Sequence, residues 1–422
     1  MGSASARVLI AGAGPAGASL ALLLARQGIA VELVEASPSF SRQFRGDALM
    51  PSGLEALELM GLLPLPASVH QRPLRGWSFW LEGRALFEVA EPMDSSRTCM
   101  LIHQGELLEA LVAEVARQPG AHLLSGRPIV GLLRNRDRVT GVELSDGTQL
   151  RADLVVGCDG RHSLLRQQAG LVLEEQPAQL DVLWFHIAAS ASDELSHWLQ
   201  GRFVTIVGGG CSFALFEAAA GGVQLGWAVE PGGLRPQPAS WPEFWAARAP
   251  RQVAGSLRRI PPTAVRGPVH LPVRVGLARN WHVPGLLLLG DAAHPMSPLR
   301  AQGINMALRD ALTAGRQLLP LLRQGDGAAL DAGLAAVADS RLPEIELMQA
   351  LQRREALRAE RLQGQGWLRG LLAGSAPWSG PWLARHWSAD QRQLRSGLAE
   401  TTAMMEALAT LPWSGNAPAA PP

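Results

Sequence analysis

No lysine and no tyrosine occurs anywhere in the 422 residues, so all 38 basic side chains are arginine. That absence removes whole chemistries: a phosphate-loop lysine, a Schiff-base lysine, and any tyrosine acting as acid or base. Cysteine is nearly as scarce. Cys99, Cys158 and Cys211 are odd in number, widely spaced and form no C-x-x-C pair, so neither a disulfide framework nor a metal site is expected. Such thiols fit a reducing, cytoplasmic compartment. An excess of either charge is missing as well. The 38 basic residues face 37 acidic ones, a formal charge of +1, which argues against a nucleic-acid partner. Val8 to Ala25 runs 18 residues without a charge, but Gly12, Gly14, Pro15 and Gly17 at its centre would break a helix in lipid. A buried strand, a glycine turn and a buried helix face is the better reading.

What is present is core-forming material. Apolar residues make up 47% and charged residues 18% of a chain long enough for two domains. Arg7 to Ala11 reads as a strand, Gly12 to Gly17 as a tight turn, Ala18 to Arg26 as a helix closed by Gly28, and Ile29 to Val34 as the next strand, ending at Glu35. That is a complete β-α-β unit. Residues 105–117 have helical spacing, 139–149 form a hairpin around Ser145-Asp-Gly-Thr148, and 154–156 form a buried strand. From 176 to 274 short strand-like runs (181–188, 203–207, 223–229) with Gly and Pro punctuation point to an antiparallel sheet, with Gly208-Gly-Gly210 a loop rather than a phosphate cradle. A strand over 286–289, a helix over 304–322, a charged helix over 343–361 and a disordered tail over 414–422 complete the reading. No repeat is visible.

Gly12-Ala-Gly14-Pro-Ala16-Gly17 is G-x-G-x-x-G in the context the fingerprint demands, a strand before and a helix after. Gly12 permits the turn, Gly14 lets a pyrophosphate approach the backbone, and Gly17 lets helix and strand pack closely. The helix N-terminus offers its unpaired N–H groups to phosphate, and Glu35 stands where a ribose would be bound. Two further motifs follow buried strands. One is Cys158-Asp159-Gly160-Arg-His-Ser163-Leu-Leu-Arg166; the other is Leu289-Gly290-Asp291-Ala-Ala-His294-Pro, continued by Pro298 and Gln302-Gly303-Ile304-Asn305.

With these three motifs in this order, residues 7–345 resemble the class A flavoprotein monooxygenases, the p-hydroxybenzoate hydroxylase-like family. The resemblance implies an α/β fold: a Rossmann-type FAD-binding domain (1–72, 98–174, 275–342), an inserted antiparallel-sheet substrate domain (73–97, 175–274) and C-terminal helices (343–413). It implies FAD as cofactor, NADPH or NADH as transient reductant, and oxygen transfer through a flavin C4a-hydroperoxide to an electron-rich, largely apolar small molecule. By position it makes Glu35 the ribose ligand, Arg45 a pyrophosphate neighbour, Gln104 a cofactor contact, Asp159 a residue for FAD and nicotinamide coenzyme alike, and Asp291 the ribityl ligand. The helix opened by Gly303, Ile304 and Asn305 would face the flavin pyrimidine edge, where a helix N-terminus stabilises reduced, anionic flavin by up to ~1–2 kcal/mol. Arg300 departs from the family, which usually has a small residue there, so either the loop is altered or the arginine reaches toward substrate.

On the substrate side, strand alternation puts Trp184 and His186 on one face and Leu183, Phe185 and Ile187 on the other, which reads as core. Trp184 and His186 could line a cavity with Arg202 and Trp227, or simply pack. Without tyrosine, the candidate bases for a hydroxylation are His186, His294 and arginine-stabilised water. Two other functions stay open: an oxidase or dehydrogenase on the same scaffold, and a flavin-holding protein that sequesters an unstable intermediate. A lysine-dependent halogenase is excluded. The chain is expected to act as a monomer or homodimer. Residues 364–389 carry Trp367, Trp378, Trp382 and Trp387 with two arginines and no acid, a composition that suits either core and lid packing or peripheral contact with a membrane.

Overall fold

The computed structural model describes residues 7–40, 48–93, 97–232, 238–398 and 401–403. Arg45 and the tail over 414–422 lie outside the described residues. Apolar runs with no alternation build a sheet buried on both faces. Its order is His282–Val283, Leu286–Leu288, Leu154–Gly157, Arg7–Ala11, Ala30–Glu35 and Ala121–Ser125, all parallel except the first pair. Val8, Leu9, Ile10, Val155 and Leu287 are completely buried. Helix Pro15–Arg26 is buried all round, which explains why its sequence shows no polar face. It packs on helix Gln302–Gln324, where Gly315 accommodates Leu20 and Leu23.

The second sheet has seven strands in the order Val265–Leu271, Asp181–Ile187, Val223–Val229, Cys211–Glu217, Arg202–Gly208, Gly76–Leu81 and Arg84–Ala90. Its pairs are antiparallel except Arg202–Gly208 with Gly76–Leu81. One face carries Leu183, Phe185 and Ile187 onto three short helices, Asp193–Leu199, Trp241–Ala246 and Arg251–Arg258, through Trp241 and Trp245. The other face carries Val182, Trp184, Phe216 and Trp77 into a second apolar cluster with Met50 and Leu101.

Those three helices are absent from the sequence reading, which sees only strands between 176 and 274. At least one was signalled: Ser240 accepts a hydrogen bond from the Glu243 N–H, with Pro242 in the first turn. Helix Gly327–Gly364 also starts earlier than the expected 343, because Asp326 caps it and Pro343 is carried inside it. Helix Gly366–Ser396 follows, with Pro377 and Pro381 within it. Among the described residues no helix is long and apolar enough to cross a membrane.

Candidate active site

The glycine turn is shaped by its neighbours. Gly12 has φ +99°, and a Cβ there would lie 2.4 Å from the Cys158 carbonyl oxygen. A Cβ on Gly17 would lie 1.9 Å from the Gly12 carbonyl oxygen, so Gly17 serves helix–strand packing and does not face the cavity. Gly14 differs: nothing stands within 4 Å of its would-be Cβ. It opens into a cavity of about 1140 Å³, larger than the usual ~300–1,000 Å³ of a small-molecule pocket. Ala16 and Glu35 line the same end. The Glu35 carboxylate accepts from Ala13 N at 2.8 Å and Ser37 N at 2.9 Å, tying the strand end to the turn.

The other two motifs form the cavity's sides. Asp159, Gly160, Gly290, Asp291, Pro298, Gly303 and Ile304 all line it, as does Gln104 at the start of helix Gln104–Ala116. Asp159 Oδ1 accepts from Ser163 Oγ at 2.6 Å and Oδ2 from Leu165 N at 3.1 Å, so it also caps the short helix Leu164–Gln168. Burial pushes its carboxyl above the ordinary range, against these hydrogen bonds. Arg166 lies behind the wall, donating to the Ala292 carbonyl at 2.6 Å and so joining the two motif turns.

Three residues expected at the site are turned elsewhere. Asn305 is fully buried and acts as a clasp, accepting from Met50 N at 2.9 Å and donating to Ala48 O and Ala301 O at 3.2 and 2.7 Å. Arg300, at φ +58°, pairs with Glu355 and lies over Trp77 and Trp387 at 4.8 and 4.9 Å instead of reaching into the cavity. His294, 1% exposed, holds Asp310 at 2.6 Å beneath the cavity floor and does not line it. Its place is in a buried ionic seam. Asp310 also accepts from Gly290 N at 3.0 Å and from Arg341 at 2.8 Å; Arg341 and Arg309 both bind Glu344.

On the sheet, His186 lines the far end of the same cavity. Its Nε2 lies 3.2 Å from the Gly221 carbonyl oxygen. Burial and then the Arg266 guanidinium hold its pKa below the ordinary histidine value. Gln224 and Arg266 stand opposite His186 on the two flanking strands and line the cavity with it. Neither was expected from the sequence, because strand register, not local pattern, brings them there. Of the two alternatives left open for the residues near His186, the structure takes packing. Trp184 shares its face but packs against Phe216 and Gly226. Trp227 pairs with Leu183 and points to the opposite face, against Trp241 and Phe244. Arg202 lies at the surface with Glu88 and the last carbonyls of helix Asp193–Leu199.

Comparisons with known proteins agree on one lineage. A family described as an FAD binding domain matches residues 5–343. The chain is 33% identical over 352 residues to 6-methylpretetramide 4-monooxygenase of Streptomyces rimosus, covering 80% of this chain and 81% of that one. It is 30% identical to ubiquinone hydroxylase UbiL of Rhodospirillum rubrum, over 82% of this chain and 80% of that one. Among solved structures, Pseudomonas aeruginosa PqsL in complex with 2-aminobenzoylacetate superposes with a TM-score of 0.71 at 23% identity, over 87% of this chain and 98% of that one. Klebsiella pneumoniae HpxO, complexed with FAD and uric acid, does so at 0.70 and 19%, over 92% and 97%.

Proposed function

The chain belongs to the class A flavoprotein monooxygenases, and from that premise we propose that it oxygenates an electron-rich, largely apolar small molecule with NAD(P)H and O2. It is an FAD-dependent oxidoreductase. One observation carries the reading: a single cavity runs from the glycine cradle at Gly14 to the polar residues His186, Gln224 and Arg266 on the second sheet. The residues present fit the cofactor, since Gly14 alone of the three fingerprint glycines leaves its Cβ position open. When bound, FAD supplies the two-electron chemistry that lets reducing equivalents from NAD(P)H activate O2 for transfer of one oxygen atom.

The chain's own residues then hold and orient. Gly12, Gly14 and Ala16, at the N-terminus of helix Pro15–Arg26, would hold the pyrophosphate, with Arg45 as its expected neighbour. Glu35 would hold the ribose, Asp291 the ribityl chain, and Gln104 with Gly160 the adjoining wall. Pro298, Gly303 and Ile304, at the start of helix Gln302–Gln324, would border the flavin ring. Asp291→Ala would remove a hydrogen bond worth about 1–3 kcal/mol if buried, so about 5- to 150-fold weaker FAD binding is expected. Equilibrium titration of apoprotein with FAD checks this. Unchanged affinity would take Asp291 out of the site.

His186, on the cavity wall, would be the base that accepts a proton from substrate. Its neutral form is favoured by burial and by the positive charge of Arg266, so it stays a base to lower pH than an ordinary histidine near ~6.5. Arg266 would meanwhile favour the substrate's anion. The acid limb of the pH–rate profile for turnover should therefore fall below the ordinary histidine range. His186→Gln should remove that limb and lower the rate about 10²- to 10⁴-fold. A variant that keeps both rate and limb would leave the base role to another group. Label from ¹⁸O2 appearing in product separates oxygenation from an oxidase or dehydrogenase reaction.

A further inference from the structure

Three of the four tryptophans on helix Gly366–Ser396 have no place in the core. Trp367, Trp378 and Trp382 are 71%, 82% and 58% exposed, and Leu371 beside them is 62% exposed. Along helix Gly366–Ser396 they follow one another by steps of four, seven and four residues. At about 3.6 residues per turn those steps place all four on one face, inside an arc of about 60° and over a length of about 22 Å. Arg385 falls on the same face and is exposed. The opposite face is the one that anchors the helix. Trp387 packs into Trp77, Phe79 and Phe87, Ala373 is buried with Leu81 and Val207, and Gly380 sits against the Leu86 carbonyl.

Charge and area say what the bare face suits. Residues 361–389 contain no carboxylate, so nothing on this helix segment repels an anionic surface. Indoles present on the order of 200 Å² each, so the exposed patch amounts to about 500 Å². That is at the upper end of what a monomer leaves bare, yet short of the ~800 Å² per partner of a stable protein interface. Tryptophan, with an apolar body and one polar N–H, is the side chain suited to the boundary between headgroups and acyl chains.

We propose that the outer face of helix Gly366–Ser396 docks flat on an anionic lipid surface, with Trp367, Leu371, Trp378 and Trp382 at the headgroup boundary and Arg385 against lipid phosphates. The docking stands on exposure and charge alone. Its consequence for function, that a lipophilic substrate is met where it dissolves, rests on the oxygenation reading. The link is short: Trp387 on this helix lies against Arg300, between Pro298 and Ala301 of the cavity wall.

FAD-loaded protein mixed at low salt with vesicles of phosphatidylcholine and phosphatidylglycerol in equal parts should sediment with them, and its tryptophan emission should shift to the blue. Binding should weaken with phosphatidylcholine alone and at high salt. The variant Trp367→Ser/Trp378→Ser/Trp382→Ser should lose about tenfold or more of this partitioning while keeping its flavin absorbance. Arg385→Glu should weaken binding to the anionic vesicles only. Intact protein that stays in the supernatant with anionic vesicles at low salt overturns the proposal, as does a triple variant that sediments like the parent. A parent dimer that the triple variant dissociates assigns the face to a second copy and overturns it equally. None of these failures touches FAD content or turnover in solution, so the oxygenation reading is tested separately.

Discussion

Gly14→Val is expected to give folded protein almost devoid of flavin, whereas Gly17→Val is expected to give little folded protein at all. The two glycines belong to one six-residue turn, but their surroundings differ completely. A Cβ on Gly14 meets nothing within 4 Å on the protein side, so a valine is accommodated by the fold and fills only cavity space. Charge-assisted hydrogen bonds to a pyrophosphate contribute about 1.5–3 kcal/mol each, so the loss of even one or two lowers FAD affinity by about 10- to 10⁴-fold. A Cβ on Gly17 stands 1.9 Å from the Gly12 carbonyl oxygen, and backbone cannot rotate away as a side chain can. Overpacking of that kind costs about 1–3 kcal/mol or more, and here it would part the first strand from its helix. Visible flavin absorbance relative to protein absorbance, with circular dichroism on the same samples, distinguishes the two outcomes. Normal flavin content in Gly14→Val would remove the cradle from the cofactor site.

The local part of this architecture was legible in the sequence. Fingerprint, strand and helix are contiguous, so Gly12, Gly14, Gly17 and Glu35 could be placed by counting, and the two aspartate turns follow apolar strands that announce themselves. What counting could not supply was the partner of each polar side chain. Asn305 binds Met50 and Ala48, and Arg300 binds Glu355 and stacks on Trp77 and Trp387, all through contacts distant in sequence. Each resembles a site residue until its long-range partner is seen. The second sheet shows the same limit in another form. Alternation correctly separates Leu183, Phe185 and Ile187 from Trp184 and His186, yet it cannot tell that Val223–Val229 pairs so that Leu183 faces Trp227. Register put Gln224 beside His186 and Trp227 on the far side. In the C-terminal helix, spacing sets Trp387 on the face opposite Trp367, Trp378 and Trp382, but only packing shows which face is inside.

Asp310→Ala should be among the most destabilising single substitutions in the chain, by about 3–5 kcal/mol, the usual loss when one member of a buried ionic cluster is removed. Asp310, Arg309, Arg341 and Glu344 have no solvent exposure, and His294 has 1%. One carboxylate serves three donors: His294 Nε2, Gly290 N and Arg341 Nε. Removing it leaves the Gly290 amide and the imidazole without that acceptor, and leaves Arg341 to Glu344 alone. Because Gly290 precedes Asp291, the same change should loosen the cavity floor and lower FAD affinity as well as stability. The seam also sets an acid limit. Burial pushes the Asp310 carboxyl up, but His294 and Arg341 outweigh it and hold it below the ordinary carboxylate value; Glu344 is held down likewise by Arg341 and Arg309. A depressed carboxylate contributes its stability above the unfolded-state pKa and loses it as pH falls through the folded value, so the parent should weaken below about pH 4. Asp310→Ala should already be weak at neutral pH and show a shallower acid decline. Glu55→Gln is the control, since Glu55 meets Arg309 from a partly exposed position and its loss should be about 1 kcal/mol or less. Urea midpoints of the flavin-free proteins at neutral and acid pH measure all three. A loss below about 1 kcal/mol in Asp310→Ala at neutral pH would mean that the seam relaxes or hydrates, and that the cavity floor is held by apolar packing instead.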